Sequence, residues 1–286
     1  MCTAIACSGR SFYFGRTLDL ECSYGEEVVI TPRRFPLPFR QTQSMPTHHA
    51  IVGMAHVELG YPLYYDAMNE HGLCMAGLRF QPHARYPGGA GHRIAPFELI
   101  PWVLGQCADL RQARELLEQT ALLDLNFSPG LPTTQLHWLV ADSSGALTVE
   151  STAAGVHLYD NPIGVLTNDP PFPEQLELLR KGDALPGDLS SPSRFRRAAF
   201  TRTHARTVGT VTDFLRILDT VTQVPGCNGS MSTRYTSCCD TKNGIYCYTT
   251  CRSRRISGIR MEQTDLDDQT LLRFPLLTRE DILLQN

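Results

Sequence analysis

The chain has 286 residues, 42% of them hydrophobic, and a formal net charge of −3, enough apolar material for a large core and close to charge balance. It carries neither a basic run nor basic residues interleaved with aromatics, so nucleic acid is not an expected partner. No apolar stretch approaches the ~18 residues of a membrane span, and "MCTAIACSGRSFYFG" lacks the basic and long apolar segments of a secretory signal.

The first third reads as β-structure. The runs "TAIAC", "SFYFGRTLD", "EEVVITP", "AIVGMAHV", "LYYDAM" and "LCMAGLRF" are separated by "SGR", "SYGEE", "NEHG" and proline clusters. Asp109 is placed to cap a helix that carries Leu110, Ala113, Leu116 and Leu117 on one face. Pro96 and Pro101 are expected to break up the run before it. Strands follow at "LHWLVAD", "ALTVEST", "GVHLYD" and "GVLTND". The stretch through "LRKGDALPGDLSSPS" reads as a loop. Helices are expected in "SPSRFRRAAFTRTHA" and "TVTDFLRILDTVTQV", and closing strands in "TRYTSCCD", "GIYCYTT" and "RISGIRM". No repeat, low-complexity tract or long linker interrupts the chain, so residues 1–286 are expected to form one domain. Strand blocks at both ends with helices between them suggest two sheets covered by helices.

Without a signal the protein is expected in the cytoplasm, where thiols stay reduced. The ten cysteines are then mostly small apolar core residues. Cys238–Cys239 and Cys247 with Cys251 have no histidine near them in sequence, since the histidines stop at His204. A metal is therefore not expected, nor is any other cofactor. Lys181 and Lys242 are the only lysines, so arginine supplies nearly all the positive charge.

Cys2 follows the initiator methionine directly. Removal of Met1 would leave a residue holding both a thiol, with pKa ~8.5, and an α-amino group, with pKa ~7.7–8.0. The amine can take the thiol proton and activate the nucleophile without a histidine. Arg16 and Asp19 lie on the next strand, which a turn at "CSGRS" folds back beside Cys2. Successive strand residues face opposite sides, so both reach the N-terminus from one side only if a bulge or turn shifts the register between them. The alternative for this segment alone is an exposed surface ion pair of little weight.

These pieces together resemble the choloylglycine hydrolase family, the bile salt hydrolases and penicillin V acylases among the N-terminal nucleophile hydrolases. The resemblance rests on "MCTA", "YFGRTLDL", "SYGEEVVITPR", "NEHGLCMAGLRF", "VLTNDPPF", "PGDLSSPSRFRRAAF" and "TSCCDTKNGIYCYTT", in that order. It implies an α+β fold, a four-layer αββα sandwich of two mainly antiparallel sheets between helix layers. It implies that Cys2 attacks an amide carbonyl and forms a thioester that water hydrolyses. Asp19 would hold the α-ammonium, Arg16 would supply positive field, and the Asn168 amide would donate to the oxyanion. Arg194 matches the remaining active-site arginine. The second oxyanion donor would be the backbone N–H of Arg79, at a position where the bile salt hydrolases usually have asparagine and the penicillin V acylases often tyrosine. The segment between Asn168 and Arg194 is shorter than the family's usual intersubunit excursion, so a dimer or a loosely held tetramer is expected. Leu20, Tyr65, Phe127 and Leu131 are candidates to line a pocket for an apolar acyl group, alongside Arg79 at the leaving-group end.

The leading expectation is an amidase acting on a small molecule, a sterol acid joined to glycine or taurine. The same chemistry on penicillin V or an N-acyl homoserine lactone is the alternative. A non-catalytic binding or scaffold relative, and a metal-binding protein built on the C-terminal cysteines, belong to other classes. Intact mass distinguishes them, through loss of Met1 or the presence of bound zinc.

Overall fold

The structure, a computed structural model, describes residues 1–180, 187–205, 207–224, 231–280, 282 and 284–285. In chain order the strands are β1 Cys2–Ser8, β2 Phe12–Leu20, β3 Glu27–Thr31, β4 Ile51–Glu58, β5 Tyr61–Asn69, β6 Cys74–Arg79 and β7 His92–Ile94. Helices α1 Leu99–Gln106 and α2 Leu110–Glu118 follow. Next come β8 Thr120–Leu122, β9 Leu136–Asp142, β10 Gly145–Thr152, β11 Gly155–Asp160 and β12 Val165–Leu166. Helices α3 Phe172–Arg180, α4 Ser191–His204 and α5 Val211–Asp219 precede β13 Ser232–Asp240, β14 Ile245–Thr250, β15 Ser257–Arg260 and β16 Leu272–Pro275.

The strands make two large antiparallel sheets. One has six strands in the order β12-β1-β2-β13-β14-β15, the other eight in the order β11-β10-β9-β6-β5-β4-β3-β16. Helices α4 and α5 cover the six-stranded sheet through β1, β2, β12 and β13, and α3 lies against α4. Helices α1 and α2 cover the eight-stranded sheet. The result is the expected αββα sandwich.

Two apolar clusters fill the layers. One joins the inner faces of the sheets and runs on to α4 and α5, with Phe14, Met54, Leu78, Phe195, Phe214 and Tyr235 buried in it. The other lies under α1 and α2, with Trp102, Val103, Leu117, Trp138 and Val140. The first six residues of β1 are buried. Its run of Cys2, Ala4, Ala6 and Cys7 keeps the strand thin enough to sit between a helix layer and a second sheet. At Gly15 on β2 an added Cβ would lie 2.0 Å from the Ser237 carbonyl oxygen. Only glycine lets β13 pack that closely.

The structure corrects two expectations about helices. Pro101 does not break its segment, because it sits in the first turn of α1, where a backbone N–H would have no helical partner. The loop expected from Leu179 starts later, because α3 runs through Arg180; this helix, absent from the sequence reading, sets Phe172, Leu176 and Leu179 on one face with Gln175 buried beside them. Residues 181–186 of that segment, Lys181 among them, lie outside the described residues. Asp109 caps α2 as expected, its carboxylate accepting from Gln112 N at 2.8 Å.

Candidate active site

Strand β1 begins at Cys2, which is 4% exposed. It pairs in regular register with β2, Cys2 opposite Leu18 and Ala4 opposite Arg16. Regular pairing puts Arg16 and Asp19 on opposite faces of β2. The irregularity expected between them lies instead in β13, where Arg234 is the extra residue between the partners of Leu18 and Asp19. The two residues therefore flank the N-terminus from two sides.

Arg16 points into the space between the sheets and is fully buried. Its Nη1 donates to the Tyr65 carbonyl at 3.0 Å and the Gly77 carbonyl at 2.5 Å, and its Nε to the Thr17 carbonyl at 3.2 Å. Both cross-sheet carbonyls are available for a local reason. Tyr65 is the extra residue of a bulge in β5 opposite Met54 and Ala55, and Gly77 lies just beyond the last β5–β6 pair. The buried Nη2 has no hydrogen-bond partner among the described residues. Burial acts to lower the Arg16 guanidinium, but Cys2, Tyr235, Asp66 and Asp19 outweigh it and the net direction is upward.

Asp66 is the counter-charge below Arg16. It is fully buried and accepts from Tyr235 Oη at 2.5 Å, Ser237 Oγ at 2.8 Å and Tyr246 Oη at 2.8 Å. Burial raises its carboxyl, against the pull of Arg16 and these hydroxyls.

Asp19 is held from the opposite side. Thr233 Oγ1 donates to it at 2.6 Å and Gln223 Nε2 at 2.9 Å. Burial raises its carboxyl, opposed by Thr233, Arg194, the N-terminal ammonium and Arg16. With Met1 in place the contact with the α-ammonium runs through the backbone, since Met1 N donates to the Asp19 carbonyl at 2.9 Å and Asp19 N to the Met1 carbonyl at 2.9 Å. Burial lowers the Met1 ammonium, opposed by Cys2 and Asp19 and reinforced by Arg194 and Arg16.

Asn168 and Arg194 complete the surroundings. Asn168 Oδ1 accepts from Cys2 N at 2.7 Å and from Arg194 Nη2 at 2.8 Å. Arg194 Nη1 donates to the Cys2 carbonyl at 2.5 Å and to Thr3 Oγ1 at 2.7 Å. Burial lowers the Arg194 guanidinium, opposed by Asp19, Cys2 and Asp169. Asn168 Nδ2 donates to the Arg79 carbonyl at 2.8 Å and keeps a second N–H to give. Gly77 and Arg79 share strand parity, so their polar groups lie on the same edge of β6, the one that meets Arg16 and Asn168.

The structure thus gathers Cys2, Arg16, Asp19, Asn168, Arg194 and the Arg79 backbone. The Arg79 side chain does not run inward: it is exposed, and its Nε and Nη2 both donate to Gln81 Oε1. Leu20 and Tyr65 pack on the inter-sheet cluster that includes Cys2. Phe127 and Leu131 pack on the other cluster, where Phe127 joins Tyr61, Phe97 and the Arg40 guanidinium. Asp66, Thr233 and Gln223 were missed in the sequence. Asp66 alone left a trace there, as a charge inside the apolar run "LYYDAM".

Elsewhere His49, Glu70 and His71 bring their potential ligand atoms within 4.8 Å of one another. The Glu70 carboxylate is already engaged by Arg33 and by Ala50 N.

An αββα sandwich in which the first strand of the chain carries the reactive end is the architecture of the N-terminal nucleophile hydrolases. The chain belongs to the choloylglycine hydrolase family of linear amide C–N hydrolases, whose family model matches residues 2–274. It is 41% identical to a bile salt hydrolase/transferase of Lactiplantibacillus plantarum, over 96% of this chain and 97% of the relative. It is 30% identical to a bile salt hydrolase/transferase of Clostridium perfringens, over 93% and 94% of the two chains. The crystal structure of the C2A mutant conjugated bile acid hydrolase from Clostridium perfringens superposes with a TM-score of 0.93 at 29% identity, over 100% of both chains. Penicillin V acylase from Agrobacterium tumefaciens shares the fold at a TM-score of 0.82 and 21% identity, over 97% of this chain and 92% of that one.

Proposed function

We propose that this hydrolase cleaves the amide bond between a sterol acid and glycine or taurine, with Cys2 as nucleophile once Met1 is removed. The observation that carries the reading is the convergence on Cys2. Its nitrogen donates to Asn168 Oδ1 at 2.7 Å, its carbonyl accepts from the buried Arg194 at 2.5 Å, and the buried Arg16 feels its charge. The relatives named for bile salt hydrolysis supply the substrate class.

Loss of Met1 turns the Cys2 amide into a free amine at the same place. That amine takes the thiol proton, and the sulfur attacks the amide carbonyl carbon. Charge moves to the carbonyl oxygen, where Asn168 Nδ2 and the Arg79 N–H donate. As the C–N bond breaks, the α-ammonium returns its proton to the leaving nitrogen. The Cys2 thioester remains, and a water activated by the same amine releases the sterol acid. Asp19 and Asn168 orient the amine, and Arg16 and Arg194 balance negative charge on sulfur and oxyanion. Leu20 and Tyr65 are the side chains assigned to the acyl group. The Arg79 guanidinium, freed from Gln81, is assigned to the carboxylate or sulfonate of the leaving group.

We place the protein in the cytoplasm, a reading supported by the nine described cysteines all being free thiols. The test is a hydrolysis panel on protein lacking Met1, with glycocholate, taurocholate, penicillin V and an N-acyl homoserine lactone. Bile conjugates should be turned over fastest. Preference for penicillin V or the lactone would replace the substrate assignment, and inertness to all four would overturn the reading.

A further inference from the structure

Residues 167–171 carry Asn168 and form no helix or strand. Their buried backbone groups need partners, and an irregular segment must find them in side chains. Thr167 N donates to Gln175 Oε1 at 3.3 Å, and Gln175 Nε2 donates to the Pro170 carbonyl at 2.7 Å. Asn168 N and Asp169 N share Ser191 Oγ at 2.9 and 2.8 Å. The Thr167 carbonyl accepts from His137 Nε2 at 2.7 Å. Phe172 N, at the far end of the segment, donates to Glu150 Oε1 at 2.8 Å, and His137 Nδ1 meets the same oxygen at 3.2 Å.

His137 and Glu150 are 0% and 1% exposed, on apolar strands β9 and β10. An aliphatic pair there would be the cheaper way to build a sheet. The His137 ring stacks on Phe80 with centroids 4.2 Å apart and 7° between planes. Phe80 follows Arg79, and Thr167 precedes Asn168. One imidazole is therefore wedged between the two segments that carry the oxyanion donors. Its orientation is set by its bonds, because Nε2 faces the Thr167 carbonyl and Nδ1 faces the Glu150 carboxylate.

We propose that His137, fixed by Glu150, is a positioning residue that sets the spacing between Asn168 and the Arg79 N–H. It touches no substrate and acts through the oxyanion geometry, so the inference rests on the proposed reading of Asn168. A shift of ~1 Å in such geometry costs on the order of 100-fold.

The experiment compares His137→Leu, His137→Gln, Asn168→Ala and the double variant His137→Leu/Asn168→Ala in glycocholate hydrolysis. Asn168→Ala should lower kcat by roughly 100- to 1,000-fold. His137→Leu should lower kcat by about 10- to 100-fold with KM little changed. His137→Gln keeps an N–H near Nε2 for Thr167 and should recover most of that loss. Alkylation of Cys2 by iodoacetamide forms no oxyanion and should proceed at the wild-type rate in His137→Leu. In the double variant the leucine should add little, because the group it positions is gone. If His137→Leu does not fold, His137→Asn replaces it, since its amide ends short of Thr167, and it should lose activity where the glutamine variant keeps it. Multiplying losses in the double variant, alkylation falling with kcat, or full activity of the leucine or asparagine variant would each overturn the positioning role. A wild-type enzyme inert to glycocholate would overturn the reading of the site, and this role with it. Active wild type with a crippled Asn168→Ala and indifferent His137 variants would overturn this inference alone.

Discussion

Exchanging the Cys2 sulfur for oxygen alters one atom in a buried strand and little volume. Cys2→Ser should therefore keep the wild-type melting temperature while turnover is abolished, because a hydroxyl is far less ionised than a thiol near neutral pH. Appreciable hydrolysis by clean Cys2→Ser protein would remove the sulfur from the mechanism. Arg79 makes a different kind of prediction. Its guanidinium is exposed and shared with Gln81, so a contact with the leaving-group anion works in partly solvated surroundings. Arg79→Asn should raise KM for glycine and taurine conjugates by about three- to tenfold with kcat nearly kept, and by less at high salt. Unchanged KM for both conjugates would leave the side chain without a role. The backbone N–H assigned to the oxyanion survives this substitution.

Strand pairing explains which parts of the site could be read beforehand. Position makes Cys2 a candidate that only the motifs around it single out, and a hairpin between β1 and β2 follows from "CSGRS". The bulges at Tyr65 and Arg234 leave no such mark, because both interrupt otherwise ordinary strand sequences. His137 and Glu150 show only as polar residues inside "LHWLVAD" and "ALTVEST", and their partner loop is remote in sequence. The two missed helices have a common cause. Each begins next to prolines, which punctuate a sequence whether they end an element or start one. A further tie joins elements at the far end of the eight-stranded sheet. Glu70, in the β5–β6 hairpin, takes Arg33 Nη2 at 2.6 Å and Ala50 N at 2.8 Å, linking the ends of β3, β4 and β5. Burial acts to raise this carboxyl, but the hydrogen bond from Arg33, that from Ala50 and the charge of Arg33 outweigh it, and the net direction is below 4.5. A depressed carboxyl stabilises the fold above its unfolded value and loses that contribution as pH falls through the folded value. Glu70→Gln should thus be less stable than wild type near neutrality, with the gap closing below pH 4.5. Parallel curves of melting temperature against pH would contradict this.

At the scale of the molecule, the alternation of strand blocks and helices was enough to read the two-sheet sandwich, because hydrophobic period and turn residues report element type directly. Assembly is a separate matter. The segment between Asn168 and Arg194 is short, and its first part is α3 packed against α4. A symmetric oligomer that lacks a reaching loop lacks it at every equivalent interface. We expect a dimer or a tetramer that dissociates on dilution, as light scattering at low micromolar concentration would record; a tetramer that persists there would show the excursion to be dispensable. In the proposed mechanism Cys2 becomes the first residue and carries the acyl group. Acid quenching during glycocholate turnover, followed by mass analysis of the N-terminal peptide, tests it most directly. The peptide should begin at Cys2 and bear the cholyl group as a thioester. Turnover by protein that retains Met1, or a cholyl group on any other residue, would contradict it.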